Sequence, residues 1–326
     1  MDTPRNGGRR PVILDCDPGH DDALAIFLAA RHFDVLGITA VAGNVDVDRT
    51  TLNARRIADL AGLDVPIARG CAAPLVQAPI HAPDIHGPSG LDGYEFPPPR
   101  AAVEERDAVE FLVDTLRARD GVTVIATGPL TNLAVALRTA PDIAGRIKEI
   151  SLMGGSVTIG NVTPAAEFNI WFDPEAASVV FGSGIPLWMC GLNVTRQAGI
   201  DLADIARIEA LGTRAAAVMG SLLRFYLGRQ RTRAGGTSGP LHDPCAVAIL
   251  LEPPILSWVP ARVAVELRGE HTRGMTVCDV RHVPLFNPAV AEGVPPRGAA
   301  PNARVATGID RTAFVRLIED ALASYP

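Results

Sequence analysis

Apolar runs of strand length recur along this chain, and each stops at a Gly-, Asn- or Asp-rich turn before a helical pattern begins. The runs predict strands at Pro11–Asp15, Val35–Val41, Gly121–Ala126, Ile147–Met153 and Pro186–Cys190. Amphipathic patterns predict helices near Asp21–Ala30, Val47–Ala61, Asp107–Arg119, Leu130–Thr139, Asp173–Ser183, Thr213–Arg229 and Asp243–Leu251. Such alternation defines an α/β fold: a single-domain, mostly parallel, doubly wound sheet with helices on both faces. Ligands of these sheets bind outside the carboxyl ends of the strands. The turns Val41–Asn44, Ala126–Pro129 and Leu152–Gly155 lie at such ends. Later, Arg262–Val280 alternates like antiparallel strands, Pro284–Asn302 reads as irregular, and Ile309–Ser324 as a closing helix. Two segments, Arg69–Arg100 and Arg231–Pro240, read as long loops, which in compact domains are lids, binding loops or solvated connectors. There is no internal repeat and no domain boundary, so residues 11–326 are expected to form one domain behind a disordered tail at 1–10.

Composition narrows the function. With 326 residues, 48% of them hydrophobic, the chain can fill a large core. A net charge of −6 and scattered Arg argue against nucleic acid as a partner. No apolar run reaches the ~18 residues of a membrane span, and the polar first ten residues do not read as a signal peptide. Five cysteines without C-x-x-C spacing fit reduced thiols and a cytoplasmic location.

The chemistry is concentrated in the run Asp15-Cys-Asp17-Pro-Gly-His-Asp21-Asp22, where four aspartates fall within eight residues. Asp15 and Asp17 alternate on a strand, which puts them on one face. Asp21 and Asp22 fall in the first turn of a helix, where negative charge is favoured. Like charges this close raise one another's pKa values unless a cation neutralises them. An oxygen-rich cluster suits Ca²⁺ or Mg²⁺. The plainer alternative is an acidic first turn with one buried structural Asp.

The run resembles the signature of the inosine-uridine-preferring nucleoside hydrolase family. Further motifs follow in that family's order: Val41-Ala-Gly-Asn44, Ile85-His-Gly-Pro-Ser-Gly-Leu-Asp-Gly93, Ala126-Thr-Gly-Pro-Leu-Thr-Asn132, Leu152-Met-Gly-Gly155, Ala166-Glu-Phe-Asn169 with Asp173-Pro-Glu-Ala-Ala177, and His242-Asp243. The resemblance implies a Ca²⁺-dependent hydrolase of ribonucleosides, working as a homodimer or homotetramer. It implies metal ligation by Asp17, Asp22, the Thr127 carbonyl and Asp243. Asp21, Asn44, Asn161, Glu167 and Asn169 match positions that hold the ribose, and His242 matches a leaving-group position.

Cleavage of a nucleoside requires an activated water, stabilisation of a ribosyl cation and protonation of the departing base. A bound Ca²⁺ orients a water and lowers its pKa, and Asp17 beside it is the candidate general base. Carboxylates and the Asn amides stabilise an oxocarbenium-like centre. His242, with an unperturbed pKa of ~6.5, is the candidate general acid. Equally, His242-Asp243-Pro244 reads as a helix start, with Asp as N-cap and Pro at N1.

Other residues carry weaker signals. His86 faces the pocket or stabilises its loop, while His20 and His81 read as solvent or loop residues. Phe225 and Tyr226 either contact the base or pack in the core; Tyr226 is carried as a substrate-binding candidate. Trp171, Trp188 and Trp258 read as core. Keeping His242 while lacking Trp in both loops, the chain resembles the broad or pyrimidine-leaning members. Competing readings are a phosphohydrolase, disfavoured by the lack of a nearby Lys, a non-catalytic Ca²⁺-dependent ribose-binding protein, and a hydrolase of another ribosyl substrate.

Overall fold

A computed structural model describes residues 8–251, 253–295 and 298–326. Its strands are β1 (Pro11–Cys16), β2 (Asp34–Ala40), β3 (Ile67–Arg69), β4 (Val122–Ala126), β5 (Ile147–Met153), β6 (Leu187–Cys190), β7 (Gly199–Ile200), β8 (Gly239–Pro240), β9 (Leu256–Val265), β10 (Thr276–Asp279) and β11 (Ala303–Ile309). Nine of them form one sheet in the order β10-β9-β11-β6-β5-β4-β1-β2-β3, while β7 and β8 pair separately. The sheet is parallel from β3 to β11 and ends in the antiparallel pair β9 and β10.

Period-2 alternation buries both faces. Val12 and Leu14 of β1 enter one apolar cluster with Leu24, Phe27, Leu222 and Phe314. Ile13 enters the other, with Phe111, Leu133 and Val180. Helices therefore cover both faces, as the alternating pattern predicts.

The winding positions the site. From β1 the chain steps to β2 and β3, then returns to β4 on β1's other side. Strands β1 and β4 thus flank the switch point, where doubly wound sheets open a crevice. Asp15 pairs in register with Ala126, so Asp17 and Thr127 emerge side by side at the two carboxyl ends.

Several elements depart from the expectation. Strand β11 was not expected, nor was the three-residue β3. The helix Arg214–Ala234 runs five residues beyond Arg229, so Arg231 and Thr232 are helical rather than loop. Its stop is Gly235 at φ 70, a left-handed conformation that Gly adopts without steric cost. Trp258 is 43% exposed, and it makes an edge contact with the half-buried Trp188. The Arg304 guanidinium lies over both indole rings, so this pair forms a surface patch and not core. Trp171 is likewise only half-buried. Most of the expected tail, residues 1–7, lies outside the described residues. Arg10 already belongs to the fold, with its guanidinium 3.1 Å from Glu149. Among the described residues, no helix is long and apolar enough to cross a membrane.

Candidate active site

The four aspartates of the opening run separate once the chain folds. Asp15 stays inside the sheet body, where its Oδ1 accepts from Thr39 Oγ1 at 2.6 Å and Asn132 Nδ2 at 2.8 Å. Its Oδ2 is buried without a partner, and burial raises its pKa to about 6. Asp17 lies past the end of β1, on the rim. Its Oδ2 accepts the Asn44 backbone N–H at 2.7 Å, and its carbonyl accepts Asn44 Nδ2 at 3.0 Å. The carboxylate nests between two glycines: a Cβ on Gly43 would lie 2.1 Å from Oδ2, and one on Gly128 2.7 Å from Oδ1.

Asp21 and Asp22 open the helix His20–His32. Asp22 accepts the Gly19 N–H at 2.9 Å and the Thr127 hydroxyl at 2.7 Å. Asp21 accepts the His242 N–H at 3.1 Å. Asp243 arrives from more than 200 residues away. It precedes Pro244 at the start of the helix Pro244–Ala248, yet its side chain makes no capping bond. It turns to the acids instead: carboxylate oxygens of Asp21, Asp22 and Asp243 all lie within 4.8 Å of one another. Asp17 is outside that trio but close enough for Asp22 and Asp21 to raise its pKa. Burial is the leading cause of the upward shift in all four, and repulsion from neighbouring carboxylates adds to it in Asp17, Asp21 and Asp243. Asp21 reaches about 7. A buried, oxygen-only set of repelling carboxylates matches what a hard cation requires.

A second group closes the other side. Glu167 caps the helix Phe168–Phe172, accepting the N–H groups of Asn169 and Ile170, and it also accepts that of Gly155. Burial lifts its pKa to about 7 against those bonds. Asn169 Nδ2 donates to the Thr127 carbonyl at 2.7 Å and to the Met153 carbonyl at 3.0 Å. It thereby ties the β4 and β5 ends together beside the acids. Asn161 is exposed and accepts the Phe168 N–H at 3.0 Å.

The histidines depart furthest from expectation. His20 is fully buried and not a solvent or loop residue. Its ring stacks on His86, Phe225 and Tyr226. His86 packs so closely over Gly19 that a Cβ there would lie 2.6 Å from Nδ1. Tyr226 is buried; its hydroxyl donates to the Pro240 carbonyl at 2.7 Å and accepts from Gln230 at 3.0 Å. What it can offer a ligand is a ring face. His81 is half-buried, with Nδ1 2.8 Å from the Gly43 carbonyl. His242 Nδ1 meets the Thr195 hydroxyl at 2.7 Å. Burial, with Arg196 adding, pushes its pKa down to about 4, so it does not keep the ordinary value from which its acid role was reasoned. Thr195 and Gln230 lay in no motif, and Asn132 closed the motif Ala126–Asn132 without being given a role. Their link to the site is through space.

Acids and amides meeting at the switch point define an oxygen-rich centre with the chemistry to hold a hard cation. Comparison with known proteins names it. The profile of inosine-uridine preferring nucleoside hydrolases matches residues 12–316. The chain is 45% identical over 321 residues to the pyrimidine-specific ribonucleoside hydrolase RihA of Shewanella woodyi, covering 97% of this chain and 99% of that one. It is 43% identical over 320 residues to RihA of Escherichia coli, with the same coverage. A purine-preferring ribonucleoside hydrolase from Gardnerella vaginalis superposes with a TM-score of 0.86 at 32% identity, over 96% of this chain and 98% of that one. The chain belongs to the inosine-uridine preferring nucleoside hydrolase family. It is therefore an N-glycosyl hydrolase that acts on ribonucleosides.

Proposed function

We propose that this enzyme hydrolyses pyrimidine ribonucleosides to ribose and free base at a Ca²⁺ site between the carboxyl ends of β1 and β4. The observation that carries the proposal is the convergence of buried carboxylates with an all-oxygen donor set. Asp17, Asp22, Asp243 and the Thr127 carbonyl would hold the ion. Bound there, it would supply a Lewis acid that orients and acidifies water and grips the ribose 2′- and 3′-hydroxyls.

Asp17 takes the proton of the attacking water. Asn44 fixes its Oδ2, and the absence of side chains at Gly43 and Gly128 leaves the carboxylate its place. Asp21 and Glu167, with the amides of Asn44, Asn161 and Asn169, hold the sugar and stabilise positive charge as the glycosidic bond breaks. His242 enters as a neutral imidazole. With the Thr195 hydroxyl donating to Nδ1, Nε2–H donates a hydrogen bond to the leaving base and stabilises its negative charge as the glycosidic bond breaks, and the departing base takes its proton from solvent. His86 and the Tyr226 ring frame that base. The pyrimidine preference is supported by two RihA relatives above 40% identity that bear that specificity in their names. Residues 11–326 act as a single catalytic domain, in a cytoplasmic homodimer or homotetramer.

The test is ribose release from uridine, cytidine, inosine and adenosine, with added Ca²⁺ and with chelator. Chelator-sensitive release, faster from the pyrimidines, supports the proposal. Release indifferent to chelator removes the metal step, and purines cleaved faster remove the pyrimidine preference.

A further inference from the structure

Past the carboxyl end of β5 the chain runs through a partly exposed loop, Ser156 to Ala166, before it reaches Glu167. The tip of this loop closes on itself. The Gly160 N–H donates to the Pro164 carbonyl at 3.0 Å, and the Asn161 N–H to the Ala166 carbonyl at 3.1 Å. The ring is so tight that a Cβ on Gly160 would lie 2.2 Å from the Ala166 carbonyl oxygen and 2.3 Å from that of Thr163. Asn161 Oδ1 accepts the Phe168 N–H at 3.0 Å, which sets which way its amide faces. Phe168 stands between Glu167 and Asn169, and Asn169 donates to the Thr127 carbonyl beside the acids. Asn161 is thereby joined to the segment that meets the site.

A charged side chain grips this ring from outside. Arg196, itself exposed, donates from Nη2 to the Gly160 carbonyl at 2.8 Å. The Gly160 carbonyl and the Asn161 N–H belong to one planar peptide group. Arg196 holds one edge of that plane and the Ala166 carbonyl holds the other, so the plane from which the Asn161 side chain springs is fixed. Arg196 caps the short helix Leu192–Thr195, which is well anchored. The Leu192 N–H donates to the Gly155 carbonyl at 2.9 Å, and Asn193 Oδ1 accepts the Val157 N–H at 3.3 Å. Asn193 Nδ2 donates to the Ala306 carbonyl of β11 at 2.8 Å. The residue before Arg196 is Thr195, whose hydroxyl meets His242.

We propose that Arg196 is a positioning residue for the sugar: through the Gly160–Asn161 peptide it holds the Asn161 amide where ribose binds. One short helix then serves both flanks of the nucleoside. Thr195 orients His242 on the base side, and Arg196 steadies Asn161 on the sugar side. The inference rests on the reading that Asn161 holds ribose.

The test uses the full-length enzyme at saturating Ca²⁺. Arg196→Met keeps the aliphatic stem and removes the donor, whereas Arg196→Lys keeps a charged donor. In Arg196→Met, kcat/KM for uridine is expected to fall about tenfold, the scale of one lost hydrogen bond from a charged group, and the inhibition constant of ribose to rise by a similar factor. Arg196→Lys is expected to stay within about threefold of wild type. Asn161→Ala should by itself lower kcat/KM and weaken ribose. Adding Arg196→Met to Asn161→Ala should cost less than about twofold more, because the two residues act in series. A merely structural contact, or a charge acting on His242, would cost the full tenfold in both backgrounds, and that result overturns the proposal. Wild-type kinetics in Arg196→Met beside an impaired Asn161→Ala overturn it too, as does a Lys variant no better than the Met variant. Wild-type kinetics and ribose inhibition in Asn161→Ala overturn it differently: the reading that Asn161 holds ribose fails, and the proposal falls with it.

Discussion

Gly43→Ala tests whether the Asp17 carboxylate works where the fold holds it. The backbone of Gly43 is not in the left-handed region, so a methyl group adds no conformational strain there. Its effect is steric. The new Cβ would lie 2.1 Å from Asp17 Oδ2 and 2.8 Å from Cγ, where ordinary contact begins near 3.4 Å. Pro129 Cδ, 2.9 Å away, limits any retreat of the alanine. The carboxylate must therefore move by more than 1 Å and give up the 2.7 Å bond from Asn44. A displacement of ~1 Å costs on the order of 100-fold in rate when the displaced group acts on the reacting atoms. Overpacking costs a further ~1–3 kcal/mol of stability. Ribose release from uridine is expected to fall about 100-fold, with calcium affinity, measured by titration calorimetry, falling alongside. Gly145→Ala, where an added Cβ meets nothing within 4 Å, should keep the wild-type rate. A Gly43→Ala enzyme that folds, binds calcium normally and turns over within threefold of wild type would refute the assignment of Asp17 to both metal and water.

Further outcomes follow from the same geometry. Chelation should abolish ribose release and lower Tm, with calcium restoring both; calcium at about 100 times its Kd stabilises by ~2.7 kcal/mol, read by thermal shift. Cleavage of 2′-deoxyuridine should be slower by about 10⁴-fold, because polar groups built to hold the missing hydroxyl are left unpaired; competition assays against uridine check this. Thr195→Val should lower kcat on uridine about tenfold, with KM little changed, as the His242 Nδ1 contact at 2.7 Å disappears. Asp15 gives a pH signature. Its folded pKa of about 6 exceeds its ordinary 3.8, so the folded chain holds a proton that the unfolded chain releases. The stability it contributes is complete below about pH 4 and lost as pH rises through 6, roughly 3 kcal/mol. Urea titrations across pH 4–7 should show that slope reduced in Asp15→Asn; an unchanged slope assigns it to other carboxyls.

The sequence by itself determined the class of fold and the chemical type of the site. Strand and helix periods are local, so β1, β2, β4, β5 and β6 and the helices between them were legible within a few residues. The motifs at the strand ends were legible for the same reason, because turn chemistry is written in adjacent residues. Tertiary structure decided what those motifs do to one another. The opening aspartates look like one group, yet Asp15 stays within β1, bonded to Thr39 and Asn132, while Asp17 lies past the strand end and Asp243 joins Asp21 and Asp22 from far along the chain. His20 reads as a bystander within its motif, and only the fold brings Asp92 and His86 to its nitrogens. Strand β11 escaped notice because its place, between β6 and β9, comes from long-range pairing that no local period encodes. The physical reason is common to all three: periodicity reports which face a residue takes on its own element, whereas a site is made by which elements the packing of the core brings together.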